Sequence, residues 1–203
     1  MGPPGMPIKA LLTLALLAMA SVAARADTYV FDKGHTSIRF AWNHLGLSRP
    51  SGRFMDFDGR LEFDPTQPEK GRVEVTIKVA SVWTGVAALD DHLKKADYFD
   101  AERFPTIHFK STGVRKTGDK TGEVAGDLTI MGITKPVTLQ VTWNFTGPHP
   151  LASLNPKYKG VFASGFSART TIRRSEWGIK RSVPLVSDEI LIEIETELSR
   201  KEG

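Results

Sequence analysis

Cysteine is absent from all 203 residues. Its absence excludes disulfides, thiolate metal ligands, a cysteine nucleophile and lipid attachment at a cysteine. A domain of this kind must be held together by its core, which a chain of this size can build. Runs of Lys and Arg are also missing, and basic residues are interspersed with acids, so the formal charge of +4 gives no footprint for nucleic acid. Asp and Glu do not occur in residues 1–26, where Lys9 and Arg25 account for two of the 27 basic residues. Without that segment the chain carries 25 basic and 23 acidic residues, a net +2. After the run from Ala10 to about Val22, no stretch is apolar enough to span a bilayer.

That first segment reads as an address. Lys9, the short apolar run and Ala24-Arg25-Ala26 form the charged, apolar and A-x-A parts of a secretory signal peptide. The run is shorter than the roughly 17–25 residues of a membrane helix. Cleavage after Ala26 is expected, leaving one domain over 27–203, which in a Gram-negative cell resides in the periplasm.

Within 27–203 the dominant period is two. Ile38, Phe40, Trp42 and His44 alternate with polar or small residues. So do Val73, Val75, Ile77 and Val79, then Val137, Leu139, Val141, Trp143 and Phe145, while Ile190, Ile192 and Ile194 alternate with Leu191, Glu193 and Glu195. Such alternation marks strands with one buried and one wet face. Turn residues at 64–68, 117–122 and 131–136 separate them. Eight strands are expected, at about 28–45, 52–64, 71–82, 106–115, 122–131, 136–146, 159–172 and 188–199, the first broken near Gly34. Val86, Leu89, Leu93 and Ala96 recur at helical spacing, predicting one short helix near 86–97, and 173–179 reads as a turn or single helical turn. The fold class is therefore all-β, an antiparallel barrel or sandwich with one short helix.

Several segments, in order along the chain, carry a resemblance. They are Asp32-Lys33-Gly34-His35-Thr36-Ser37-Ile38-Arg39-Phe40, His44-Leu45-Gly46, Asp90-Asp91-His92-Leu93, Asp97-Tyr98-Phe99-Asp100, Phe104 to Thr112, Gly126 to Ile130, Gly132 to Val137, Arg174 to Ile179 and Val186 to Ile190. Across 27–199 the chain resembles the YceI family of lipocalin-like, polyisoprenoid-binding bacterial proteins. The resemblance implies an extended eight-stranded antiparallel β-barrel with an interior pocket for an isoprenoid, quinone tail or fatty amide. It also implies a homodimer and, for some relatives, a membrane cytochrome b561 partner. No dedicated cofactor is expected beyond such a bound isoprenoid or quinone-like lipid.

An eight-stranded barrel is either filled by its own side chains or holds one ligand. Gly160, Ala163, Ser164, Gly165, Ser167 and Ala168 put small residues on both faces of one strand, which favours space. The expected walls are Phe40, Trp42, Val75, Ile77, Phe109, Leu128, Ile130, Leu139, Val141, Trp143, Phe166 and Ile192. His35, Asp91, His92 and Arg174 are candidates for a polar mouth. The five histidines show no metal-binding spacing, and Ser175 lacks a nucleophile-elbow setting. No catalytic or metal residue is assigned, and the chain is expected not to be an enzyme. A carrier for a long apolar amphipathic molecule is the favoured function. The alternatives are an enzyme acting on a lipid-like substrate in the pocket, and an inert stress or interaction barrel whose surface binds a protein partner.

Overall fold

The computed structural model describes residues 26–201 and, apart from them, residue 2. The expected signal segment therefore lies outside the described residues, save Gly2 and Ala26. The strands are β1 Asp27–Phe31, β2 Ser37–His44, β3 Ser51–Phe54, β4 Phe57–Phe63, β5 Arg72–Lys78, β6 Val82–Trp83, β7 Thr106–Lys116, β8 Thr121–Ile130, β9 Ile133–Pro148, β10 Val161–Arg173 and β11 Val186–Lys201. The helix is α1, Ala87–Leu93.

Eleven segments make eight staves because three of the expected strands are each interrupted once. β1 and β2 are parted by Asp32–Thr36, where the Asp32 carboxylate accepts from the Gly34 backbone N–H at 2.9 Å in an Asx-type turn. Met55 and Asp56 part β3 from β4, and a 3-10 turn at Val79–Ser81 parts β5 from β6. Every pairing is antiparallel, in the order β1-β4-β5-β7-β8-β9-β10-β11, and β11 pairs back to β1. That last pairing closes the barrel. The continuation β2-β3-β6 extends the wall beside the first half of β11. Connections 64–71, 117–120 and 149–160 share one end of the barrel (the hairpin end). Connections 45–50, 84–105, 131–132 and 174–185, with α1 among them, share the other (the helix end).

Alternation sets the inner face, and bulges correct its phase. On β7, Thr112 is an extra residue opposite β8, so inward positions pass from Ile107, Phe109 and Ser111 to Val114. On β9 the register against β10 shifts at Asn144. Trp143 stays inside, whereas Phe145, which plain alternation places on the same face, turns outward and is exposed. The helix is also shorter than its apolar spacing suggests. Leu89 and Leu93 pack inward, but Val86 and Ala96 are exposed, and the backbone leaves the helix after Leu93 through turns in which Asp100 takes a left-handed φ of 48°. Asp90 anchors the helix to the strand before it, accepting from the Thr84 backbone N–H at 2.7 Å and from its hydroxyl at 2.6 Å.

Outward positions along the strands carry Thr76, Lys110, Asp127, Thr138, Gln140 and Thr142, so the outer wall is polar and the interior apolar. That is the reverse of a barrel built to face lipid along its staves. Among the described residues no helix is long and apolar enough to cross a membrane.

Candidate functional site

The interior is not filled. A cavity of about 810 Å³ runs between the inner faces of the strands. Its lining includes all twelve expected wall residues, from Phe40 and Trp42 on β2 to Ile192 on β11. Phe31, Ile38, Phe54, Leu61, Phe63, Val73, Val124, Ile172, Ile190 and Ile194 complete an apolar sleeve, and Leu89, Leu93, Tyr98, Phe99, Trp177 and Ile179 line it toward the helix end.

Space survives among so many aromatics because several rings lie on glycines. A Cβ on Gly52 would come within 2.6 Å of the Phe40 ring, and one on Gly59 within 2.9 Å of Phe31. One on Gly126 would overlap the Phe109 ring and sit 2.7 Å from the Lys110 carbonyl. Each glycine occupies an inward position on the strand beside its ring. The edge of each ring thus occupies wall space on the neighbouring strand that a side chain would otherwise fill. On β10 the inward series Phe166, Ala168, Thr170 and Ile172 opens the middle of the barrel. Of the small residues noted on that strand, Ala168 lines the cavity, whereas Ser164 is buried in a bond with Thr146. A smaller cluster around Tyr29, Phe63 and Leu198, with Trp143 and Phe166 edge-on to Phe63, supports the sleeve toward the hairpin end.

Polar groups gather at the two ends. Arg72, Lys116, Asp119 and Lys120 line the hairpin end; His44, Ser48, Tyr98, Arg174 and Ser182 line the helix end. Arg39 also borders the cavity, but its guanidinium pairs with Glu193 on the outer face.

The four residues expected at a polar mouth separate. Arg174 lines the cavity and is buried. Among the described residues it forms no salt bridge with the neighbouring Glu176 or Asp188, and its hydrogen bonds go to carbonyls. Its Nε donates to the Ser187 carbonyl at 2.9 Å, one Nη to Ile179 at 3.0 Å and the other to Val186 at 2.9 Å. Burial pushes its pKa down, against the opposing influence of Tyr98 and Asp188. Asp188 is engaged instead by the Ser175 backbone N–H at 2.8 Å and hydroxyl at 2.7 Å. Burial works to raise Asp188, but the Ser175 bonds and the nearby arginines outweigh it and hold the carboxyl below its ordinary value. Arg174 is thus first a clamp that ties the 3-10 turn Arg174–Trp177 to the start of β11.

The other three are not in the cavity lining. His35 sits in the break between β1 and β2, its Nδ1 2.9 Å from an Asp32 oxygen, and this bond raises its pKa. Asp91 projects from the outer side of α1 and pairs with Lys94 at 3.3 Å, one residue nearer than the Lys95 that helical i,i+4 spacing suggests. His92 stacks edge-on against Tyr98, with ring centroids 4.8 Å apart, and so supports a lining residue without lining the cavity itself. Their displacement has one cause: all three lie in turns or on a single-sided short helix, where period-two reasoning gives no direction. Sequence reasoning also missed the glycine seats, because the pairing of Gly52 with Phe40 and of Gly126 with Phe109 depends on strand register.

The YceI-like domain matches residues 29–198. A UPF0312 protein of Pseudomonas putida is 39% identical over 173 residues, covering 84% of this chain and 86% of the relative. One from Pseudomonas syringae is 36% identical over 177 residues, covering 86% and 88%. Among solved structures, a Campylobacter jejuni YCEI protein aligns with a TM-score of 0.70 at 31% identity, covering 79% of this chain and 90% of that one. Burkholderia cenocepacia BcnA aligns with a TM-score of 0.72 at 24% identity, covering 84% and 99%, and shares the fold. A polyisoprenoid binding domain from Saccharophagus degradans, implicated in plant cell wall breakdown, has the same fold at a TM-score of 0.61 and 11% identity, covering 88% and 99%.

Proposed function

We propose, from the premise that this chain belongs to the YceI-like domain family, that it binds and carries a long apolar amphipathic molecule in the barrel interior. The chemical class is a polyisoprenoid, a quinone tail or a fatty amide. The observation that carries this reading is the cavity of about 810 Å³ with an apolar sleeve and polar ends. A site that is apolar along its length and polar at its extremities suits an amphiphile better than a compact polar metabolite. The polyisoprenoid binding domain of Saccharophagus degradans, built on the same fold, supports that class.

Magnitudes agree with a chain-like ligand. At about 30 Å³ per water-sized group, the cavity admits roughly 27 chain atoms. At about 0.3 kcal/mol per heavy atom this amounts to about 8 kcal/mol, or a Kd near micromolar. No charged anchor is required for that affinity, and the end groups serve to orient a head group.

Phe40, Trp42, Val75, Ile77, Phe109, Leu128, Ile130, Leu139, Val141, Trp143, Phe166 and Ile192 are the proposed contacts, with Arg174 at one end. The titratable groups of the lining lie at the barrel ends or, for Arg39, are engaged outside, which favours holding a molecule over transforming one. Export by the 1–26 segment, residence in the periplasm, a homodimer and a membrane cytochrome b561 partner are further elements of the proposal. The test is organic extraction of protein purified from its native host, followed by mass spectrometry. Recovery of a stoichiometric isoprenoid-like or fatty lipid is expected. Repeated recovery of none, with no uptake of added geranylgeraniol, refutes the reading.

A further inference from the structure

The helix end carries a second feature that the cavity does not explain. The loop 45–50 and the segment 178–186 lie side by side there, joined by a 3.0 Å hydrogen bond from the Leu45 N–H to the Leu185 carbonyl. His44, Ser48, Pro50, Ser182 and Val186, which flank or belong to these segments, line the cavity. Between those lining residues, three leucines point to solvent: Leu47 is 81% exposed, Leu185 67% and Leu45 49%. A hydrophobic group this exposed is ordinary when single and informative when clustered.

The cluster is held in place. Leu45 has a left-handed φ of 57°, uncommon for a bulky side chain, and Gly46 and Ser182 have φ of 76° and 62°. Hydrogen bonds fix the loop: Gly46 N–H to the Asn43 side-chain oxygen at 2.7 Å, Leu47 N–H to His44 at 2.9 Å and His44 N–H to Ser48 at 3.0 Å. The leucines are therefore presented, not flexibly displayed.

Charge decides the partner. Residues 45–50 and 178–186 contain Arg49, Lys180 and Arg181 and no acid. Among the described residues only Arg181 of the three has an ion-pair partner, Asp97 at 3.2 Å. Exposed leucines flanked by basic side chains on one rim match an anionic bilayer surface, with the leucines entering the acyl boundary and the cations meeting the headgroups. At the hairpin end Leu151 and Leu154 are also exposed, but no residue of 149–160 lines the cavity.

We infer that the 45–50 loop and the 178–186 segment form a docking surface for an anionic phospholipid bilayer, placing the helix-end mouth of the cavity against the membrane. The purpose of this surface rests on the carrier reading, and its test separates the two. The purified protein is co-sedimented with phosphatidylglycerol vesicles and with phosphatidylcholine vesicles. Leu47→Ser and Leu185→Ser are each expected to lower partitioning into phosphatidylglycerol vesicles about tenfold. Arg49→Gln and Lys180→Gln are each expected to lower it about fivefold at low salt, with little left to lose at 0.5 M salt. Geranylgeraniol delivered from ethanol should bind all four variants as it binds the parent, while its transfer from vesicles slows in proportion to partitioning.

Absence of binding to phosphatidylglycerol vesicles, or equal binding by parent and variants, overturns the docking surface. So does a light-scattering mass that falls from dimer to monomer on Leu47→Ser, since the leucines would then cover a second copy. Leucine-dependent vesicle binding without uptake of geranylgeraniol by any route upholds docking and removes the carrier reading.

Discussion

Ala168 offers the most direct perturbation of the cavity. It lies midway along β10, opposite Val141 on one side and Ile194 on the other, with its methyl group on the inner face. Replacing it with phenylalanine adds six carbons to the lumen. At about 30 Å³ per water-sized group they occupy roughly 180 Å³ of the 810 Å³ available. A ligand that filled the cavity loses about six atoms of contact, worth about 2 kcal/mol at 0.3 kcal/mol each, or roughly a twentyfold rise in Kd. Blocking the channel midway makes that a lower bound for an extended chain. Stability should not suffer, because the ring enters empty space and buries apolar surface, unlike an insertion into a packed core. The assay is quenching of the intrinsic fluorescence of Trp42 and Trp143, both in the lining, by titrated geranylgeraniol, alongside thermal denaturation. Unchanged affinity in a folded Ala168→Phe protein would show that the ligand lies elsewhere. A large loss of stability would show that the lumen at this position is packed and not open.

The remaining expectations concern the wall, the clamp and one titration. Gly126→Ala forces the Phe109 ring off its seat and crowds the Lys110 carbonyl, so it should cost about 1–3 kcal/mol in denaturant unfolding and weaken ligand binding as the ring moves into the lumen; a neutral result would contradict the glycine-seat account. Arg174→Met leaves three carbonyls short of a charged donor and should cost about 3–5 kcal/mol, a fall in Tm of roughly 6–20 °C. Arg174→Lys should recover only part of it, since one ammonium cannot span three carbonyls set by a planar fork; full rescue by Lys would reduce the residue to a point charge.

His35 should titrate above its ordinary value in an NMR pH series, and Asp32→Asn should bring it back down. Because the folded pKa is raised, the pair's contribution is fully present below the unfolded value of about 6.5 and is lost as pH climbs through the folded one. Asp32 is depressed by the same bond, so its share is present above about 3.9 and fades as pH falls through its folded value. A His35 titration at or below the ordinary value would show that the pair is not formed in solution.

Legibility followed period and locality. Alternation along β2, β5, β9 and β11 located the inner faces, and the wall residues drawn from it all surround the cavity. The same logic failed at Phe145, because a bulge at Asn144 reverses the phase and no single-strand pattern announces one. It gave no direction for His35, Asp91 or His92, which lie off the regular strands. Arg174 was legible as a cavity residue but not as a clamp, since its three carbonyl partners come from two segments that meet only in the folded chain.

From the order of its apolar and turn residues alone, this protein was bound to be an antiparallel β structure with eight staves, one short helix and an apolar inner face, because period-two burial is a local property. Whether the sheet would close, and whether anything would remain empty inside it, depended on partners far apart in sequence. Closure came from β1 meeting β11, and the open lumen from rings laid on glycines of neighbouring strands. Volume left between side chains is a property of register and rotamer together, and those exist only once the whole barrel has formed.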